Sequence, residues 1–223
     1  LVVGTVSTLA ALHDLGSGVE IPADAIEFRL DDATMDDGAI AKGLDQIRAR
    51  SIPVFLTIRI KSEGGFWEGT EAQRLARFTK LAPQVDGADV EIASDLLAAI
   101  TQLFAAAGKP TIASCHDFKT TPTLAQLRLA EAKARSAGAA VFKTANAVHT
   151  RADIHSLLEL LGDTRPGPAC VIGMGPQGIG TRYFFPILGS CLTYGYLDHS
   201  TAPGQPSARD LKAHLGKEPR YAP

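Results

Sequence analysis

A lysine inside an apolar run is the first residue that invites chemistry. In AAVFKTAN, residues 139–146, Lys143 directly follows Val141 and Phe142 in what looks like a buried strand. A buried ammonium group is costly unless it is paired, neutralised or used. Taken alone, a lysine late in a strand is more often solvated or ion-paired than nucleophilic. The preceding strand-like run, IASCHDF, carries His116. A desolvated lysine with cations nearby has a lowered pKa and adds to ketones, and the resulting imine is an electron sink. A histidine on the adjacent strand can then move a proton at the carbon next to that imine. Arg29, Arg59 and Arg182, each at or after a strand end, point to an anionic substrate, because guanidinium matches carboxylate geometry. These residues together describe a cofactor-free enzyme that works on a keto acid through a Schiff base. Aldol cleavage and dehydration both fit.

Neighbouring polar residues have structural readings as well. Glu27 and Arg29, two apart on a strand, should share a face and are expected to be able to form an ion pair inside the fold. Glu91 is expected to buttress Lys143 or an arginine rather than take part in chemistry. Arg59 and Lys61 should also share a face, with Lys61 nearer the loop and solvated. His13, His149, His155, His199 and His214 show no ligand spacing, and there is no H-E-x-x-H, so no metal is expected.

The elements that must carry these groups are legible as alternating patterns. Eight short apolar runs begin at Val2, Ala25, Pro53, Ala88, Pro110, Ala139, Ala169 and Cys191, and each reads as a strand. Helical spacing appears between most of them, most clearly over Gly38 to Arg50, Thr70 to Leu81, Asp95 to Ala107, Thr121 to Ala137 and Arg151 to Leu161. Pro122, Gly108 and Gly138 supply start and stop signals. Repeated strand–helix units imply a parallel sheet, and eight of them in 223 residues without a linker imply one (β/α)₈ TIM barrel spanning residues 1–223. An open doubly wound sheet is the rival. No G-x-G-x-x-G or Walker loop follows a strand to support it, and GMGPQGIG at Gly173 lacks the lysine–serine/threonine pair of a phosphate loop. In a barrel of this kind the site lies at the C-terminal ends of the strands, which collects Glu27, Arg29, Arg59, Glu63, Glu91, His116, Lys143, Arg182, Thr201 and Gln205 at one mouth.

A net charge of −2 with no dense basic run leaves little to hold nucleic acid or a membrane surface, so the expected partner is a small molecule. No apolar stretch reaches about 18 residues, as a membrane helix would require. Cys115, Cys170 and Cys191 are dispersed and odd in number, which fits reduced thiols in a cytoplasmic protein. The chain opens on Leu1 rather than methionine, as a trimmed start would.

Read in order, EFRLD at Glu27, TIRIKSEGG at Thr57, DVEIA at Asp89, IASCHDFKTTP at Ile112, VFKTAN at Val141, GMGPQGIGTR at Gly173, LGSCLTYG at Leu188 and TAPGQPS at Thr201 resemble type I 3-dehydroquinate dehydratase, a shikimate-pathway lyase. The resemblance runs through nearly the whole chain. It implies a (β/α)₈ barrel, a homodimer, no cofactor and no metal. It further implies that Lys143 forms the imine with 3-dehydroquinate and that His116 removes the C2 proton and protonates the departing C1 hydroxyl. Glu63 would orient and tune the histidine. Glu27, Arg29 and Arg59 would contact the substrate, Met174 pack on it, Arg182 grip its carboxylate, and Thr201 and Gln205 close over it from a lid at 197–207. Thr201 and Thr181 stand where serine is commoner, and Cys115 where an aromatic is. Two alternatives remain at this stage: another lysine Schiff-base barrel, an aldolase, and a non-catalytic ligand-sensing barrel, which would be expected to have lost Lys143 or His116.

Overall fold

The computed structural model describes residues 1–162 and 166–216, so the last part of the expected 1–223 domain lies outside the described residues. Eight parallel strands occupy Val2–Val6 (β1), Ala25–Arg29 (β2), Val54–Thr57 (β3), Gly87–Glu91 (β4), Thr111–Asp117 (β5), Val141–Ala147 (β6), Ala169–Met174 (β7) and Thr193–Tyr196 (β8). They form one sheet in the order β7-β6-β5-β4-β3-β2-β1-β8. The seam between β7 and β8 is stitched by the Cys191 N–H to the Ala169 carbonyl (2.9 Å) and the Val171 N–H to Ser190 Oγ (3.0 Å). The result is the nearly closed barrel that the alternating pattern predicts, and the open-sheet rival falls away.

Helices follow the strands: Leu9–Gly16 (α1), Asp37–Arg48 (α2), Glu71–Leu81 (α3), Leu97–Ala106 (α4), Leu124–Ser136 (α5), Arg151–Gly162 (α6), Thr181–Phe184 (α7) and Ala208–Leu215 (α8). Their starts are fixed chemically. Thr70 and Thr123 form reciprocal capping boxes with Gln73 and Gln126. Asp36 and Ser207 cap α2 and α8. Pro122 therefore precedes the cap of α5 rather than standing inside the helix, because Thr123 supplies the capping hydroxyl. Gly108 and Gly138 follow α4 and α5 with φ of 69° and 85°, the left-handed stop that glycine adopts without penalty.

Apolar side chains fill two regions. One layer, including Phe28, Leu44, Phe78, Ile100, Phe104 and Phe142, lies buried between strands and helices. A second cluster groups Val3, Ile112, Cys170, Ile172 and Leu192 with Met174 and Tyr194. Toward the C-terminal strand ends the interior turns polar, with Thr5, Glu27, Arg59, Asp89, Glu91, Ser114 and Lys143 all buried.

Candidate active site

Register decides how the reactive groups meet. β5 and β6 pair with Ser114 beside Lys143 and His116 beside Ala145. Alternation puts Ser114 and His116 on the same face, so His116 and Lys143 point the same way, with His116 two residues (about 7 Å) nearer the mouth. Both line one small cleft at the C-terminal ends of the strands. The ten residues given site roles by the resemblance, Glu27, Arg29, Arg59, Glu63, His116, Lys143, Met174, Arg182, Thr201 and Gln205, border this one cleft, whereas Glu91, also expected at the mouth, is fully buried beneath it.

The ammonium of Lys143 is only 4% exposed and lies 2.8 Å from Asp89 Oδ2 and 3.6 Å from Glu27 Oε1. The Tyr194 ring covers it at 3.9 Å from nitrogen to centroid, a cation–π distance. Carboxylates, not the cations the sequence suggested, are its nearest charges. Burial alone would raise the Asp89 pKa, but the charges of Arg59 and Lys143 outweigh it and hold the carboxyl well below the usual range. Arg59 lies between Asp89 (2.8 Å) and Glu91 (3.0 Å). Burial opposes its charge, and these carboxylates override that, raising its pKa. Glu91 is a buttress, as expected, but of two arginines: its second oxygen bonds Arg74 of α3.

Glu27 and Arg29 do not pair with each other. Arg29 turns to Asp31 (2.5 Å), which also accepts the Arg59 N–H (2.7 Å). Glu27 accepts from the hydroxyls of Thr5 (3.2 Å) and Thr57 (3.0 Å). Two apart on a strand gives a shared face but not a pair: Asp31, two residues to the other side, takes the guanidinium, while Glu27 is held by the two threonine hydroxyls. Lys61 points outward to Glu68, as expected of a solvated residue.

Glu63 sits in a short 3₁₀ turn at Lys61–Glu63, and its Oε2 lies 3.0 Å from the His116 backbone nitrogen and 2.9 Å from His116 Nδ1. The backbone N–H can only donate, and when Glu63 is ionised this oxygen accepts both bonds, so the ring presents Nδ1–H to it and leaves Nε2 as the basic nitrogen. Burial, with Arg59 and Lys143 nearby, keeps the imidazole neutral well below its ordinary pKa. Burial likewise pushes Glu63 up to about 7, partly offset by Arg59.

Arg182 lies in α7, and the loop after β7 sets its place. Gly178 lies so close to Gly173 and Met174 that a Cβ there would meet Gly173 C at 2.5 Å, so only glycine lets this loop fold back. Thr181 Oγ1 locks the turn, accepting the Gly173 N–H (2.8 Å) and donating to the Gly178 carbonyl (2.7 Å), which shows the hydroxyl kept by this threonine at work. The guanidinium is 2% exposed and donates to the Tyr194 carbonyl (2.9 Å), but its Nε has no partner and no carboxylate of the described residues pairs with it. Burial lowers its pKa to about 10. A buried cation lacking a counter-ion, at a cleft wall, suits a ligand carboxylate.

The 197–207 segment borders the mouth through Thr201, Ala202 and Gln205. Pro203 accepts the Gly175 N–H (3.1 Å), and Gly204, at φ 71°, brings the chain against Gly175. Gln205 Oε1 accepts from Thr201 N–H (2.7 Å) and Oγ1 (3.1 Å). Thr5, Phe118 and Tyr194 also line the cleft and Asp89 pairs with its lysine, none of which the sequence singled out. The alternation of Asp89 with Glu91 was an available signal for the former.

The family model described as Type I 3-dehydroquinase matches residues 2–218. A 3-dehydroquinate dehydratase of Methanococcoides burtonii is 33% identical over 205 residues, covering 90% of this chain and 87% of the relative. One from Methanosarcina barkeri is 35% identical, covering 86% and 84%. The crystal structure of the 3-dehydroquinate dehydratase from Aquifex aeolicus superposes with a TM-score of 0.82 at 26% identity, covering 97% of this chain and 98% of that one. With its parallel barrel, buried lysine and histidine–glutamate pair, this chain belongs to the type I 3-dehydroquinase family.

Proposed function

We propose that this chain converts 3-dehydroquinate to 3-dehydroshikimate by syn elimination of water through an imine on Lys143. The observation that carries the roles is the placement of Lys143 and the Glu63-bound His116 on adjacent strands facing one cleft. Lys143 gives up a proton and adds to the C3 ketone, and the carbinolamine hydroxyl takes that proton back as it leaves as water, giving an iminium ion. His116 Nε2 then takes the C2 proton, and the electron pair flows into the iminium as an enamine. The enamine re-forms the iminium by expelling the C1 hydroxyl, which leaves as water with the proton from His116. Hydrolysis frees the product and Lys143, for a net loss of one water. Asp89, Glu27 and the Tyr194 face offer stabilisation to the cationic nitrogen. Arg182 supplies the carboxylate contact, Arg29 and Arg59 hold ring hydroxyls together with Glu27, Met174 packs on the ring, and Thr201 and Gln205 close the cleft.

The same proposal takes residues 1–223 as one catalytic domain that works as a homodimer in the cytoplasm, without cofactor or metal. All eight strands joining one sheet supports the first part. Among the described residues no helix is long and apolar enough to cross a membrane. Sodium borohydride added with 3-dehydroquinate should leave a reduced adduct on Lys143 by peptide mass mapping, absent in Lys143→Ala, which should also lack turnover. Folded protein that turns over substrate without an adduct would reject the covalent route.

A further inference from the structure

Thr5 is fully buried, borders the cleft and has no part in the chemistry above. Its hydroxyl has one proton, which goes to Glu27 Oε2 at 3.2 Å, and its lone pair accepts from Gln205 Nε2 at 3.3 Å. The amide orientation of Gln205 is set independently: Oε1 accepts the Thr201 backbone N–H, so Nε2 must be the atom facing Thr5. Beyond Glu27, the next group is the Lys143 nitrogen, 3.6 Å from Oε1. Hydrogen bonds thus link Gln205 through Thr5 to Glu27, across 200 residues of sequence between Thr5 and Gln205, and the other oxygen of Glu27 lies within ion-pair distance of the reactive amine.

We propose that Thr5 is a positioning residue that couples lid closure to the imine nitrogen. When the lid amide donates to the Thr5 hydroxyl, that hydroxyl becomes a better donor to Glu27, because hydrogen bonds in a chain polarise one another. Glu27 is then held with its other oxygen toward the nitrogen that carries the iminium charge. With the lid open, Thr5 loses the amide and Glu27 is less firmly oriented. The site is therefore best arranged for imine chemistry only when the substrate is enclosed. This inference rests on the function proposed above.

The test is a double-mutant cycle with Thr5→Val, which keeps the side chain's shape but removes the hydroxyl, and Gln205→Leu. Each single variant should lower kcat/KM about tenfold, as loss of a buried hydrogen bond to a charged network does, and the double variant should fall by about tenfold rather than hundredfold. T5V should also reduce the fraction trapped by borohydride at saturating 3-dehydroquinate, and Thr5→Ser should restore both readouts. If T5V does not fold, Thr5→Ala deletes the same hydroxyl with less bulk and takes its place in the cycle. Additive losses, unchanged kinetics in T5V, or T5S as impaired as T5V would overturn the coupling. Wild-type trapping separates the two levels: no adduct in the wild type sinks the proposed function, whereas trapping with an additive cycle sinks only the role of Thr5.

Discussion

Replacing Arg182 by methionine should push stability and binding in opposite directions. Burial lowers the guanidinium pKa from its ordinary 12.5 to about 10. At 1.36 kcal/mol per pH unit, holding the charge in the fold costs about 3 kcal/mol. Below pH 10 the group is charged in both folded and unfolded chains, so the penalty is fully present at pH 7 and is relieved only as pH rises through about 10. Methionine removes it, at the loss of the bond to the Tyr194 carbonyl, which costs about 1–2 kcal/mol if that oxygen is left unpaired. The net gain is about 1–2 kcal/mol, which for a chain of this size raises Tm by about 4 °C. Substrate binding should weaken far more. Two charge-assisted bonds to a carboxylate contribute about 3–4 kcal/mol, so KM should rise by about 10²–10³. Thermal unfolding of the ligand-free variant and steady-state kinetics with 3-dehydroquinate measure both. A Tm several degrees lower with unchanged KM would refute the picture of an unpaired cation waiting for a carboxylate.

The pH dependence should centre on Glu63, whose pKa lies at about 7. The charged carboxylate holds Nδ1–H more strongly and makes Nε2 the better base, so kcat/KM should climb as pH rises through about 7, and Glu63→Gln should flatten that limb; an unchanged profile would place the controlling group elsewhere. Because the folded pKa is raised above the ordinary 4.5, this group favours folding below about pH 4.5, and that contribution is lost as pH rises through about 7. Unfolding measured at pH 5 and pH 8 should therefore differ less in Glu63→Gln than in the wild type. In His116→Ala, borohydride should still trap a Lys143 adduct while turnover stalls; loss of trapping would give the histidine a part in forming the imine as well.

Much of this chain can be read locally, because strand and helix periodicities are written in neighbouring residues. All eight strand runs appear in the fold, and five helices fall within a few residues of their expected bounds. The other three are short. The four residues of α7 cannot show a helical period, and the eight of α1 follow β1 almost without a break. For α8 the serine cap with Asp210 three residues later was a usable signal. The identities of the site residues were legible too, since a lysine, a histidine and arginines at strand ends are unusual wherever an interior is being lined. Their partners were not. Lys143 meets Asp89 from 54 positions away, and His116 meets Glu63 from 53. Arg29 pairs with Asp31 and not with Glu27, and among the described residues no carboxylate pairs with Arg182. Sequence alone determined which elements form and which side chains they carry inward, because alternation and helical spacing are properties of consecutive residues. Which charge faces which, and whether Thr5 meets Gln205 at all, was decided only when barrel closure and inter-strand register brought distant segments within hydrogen-bonding distance.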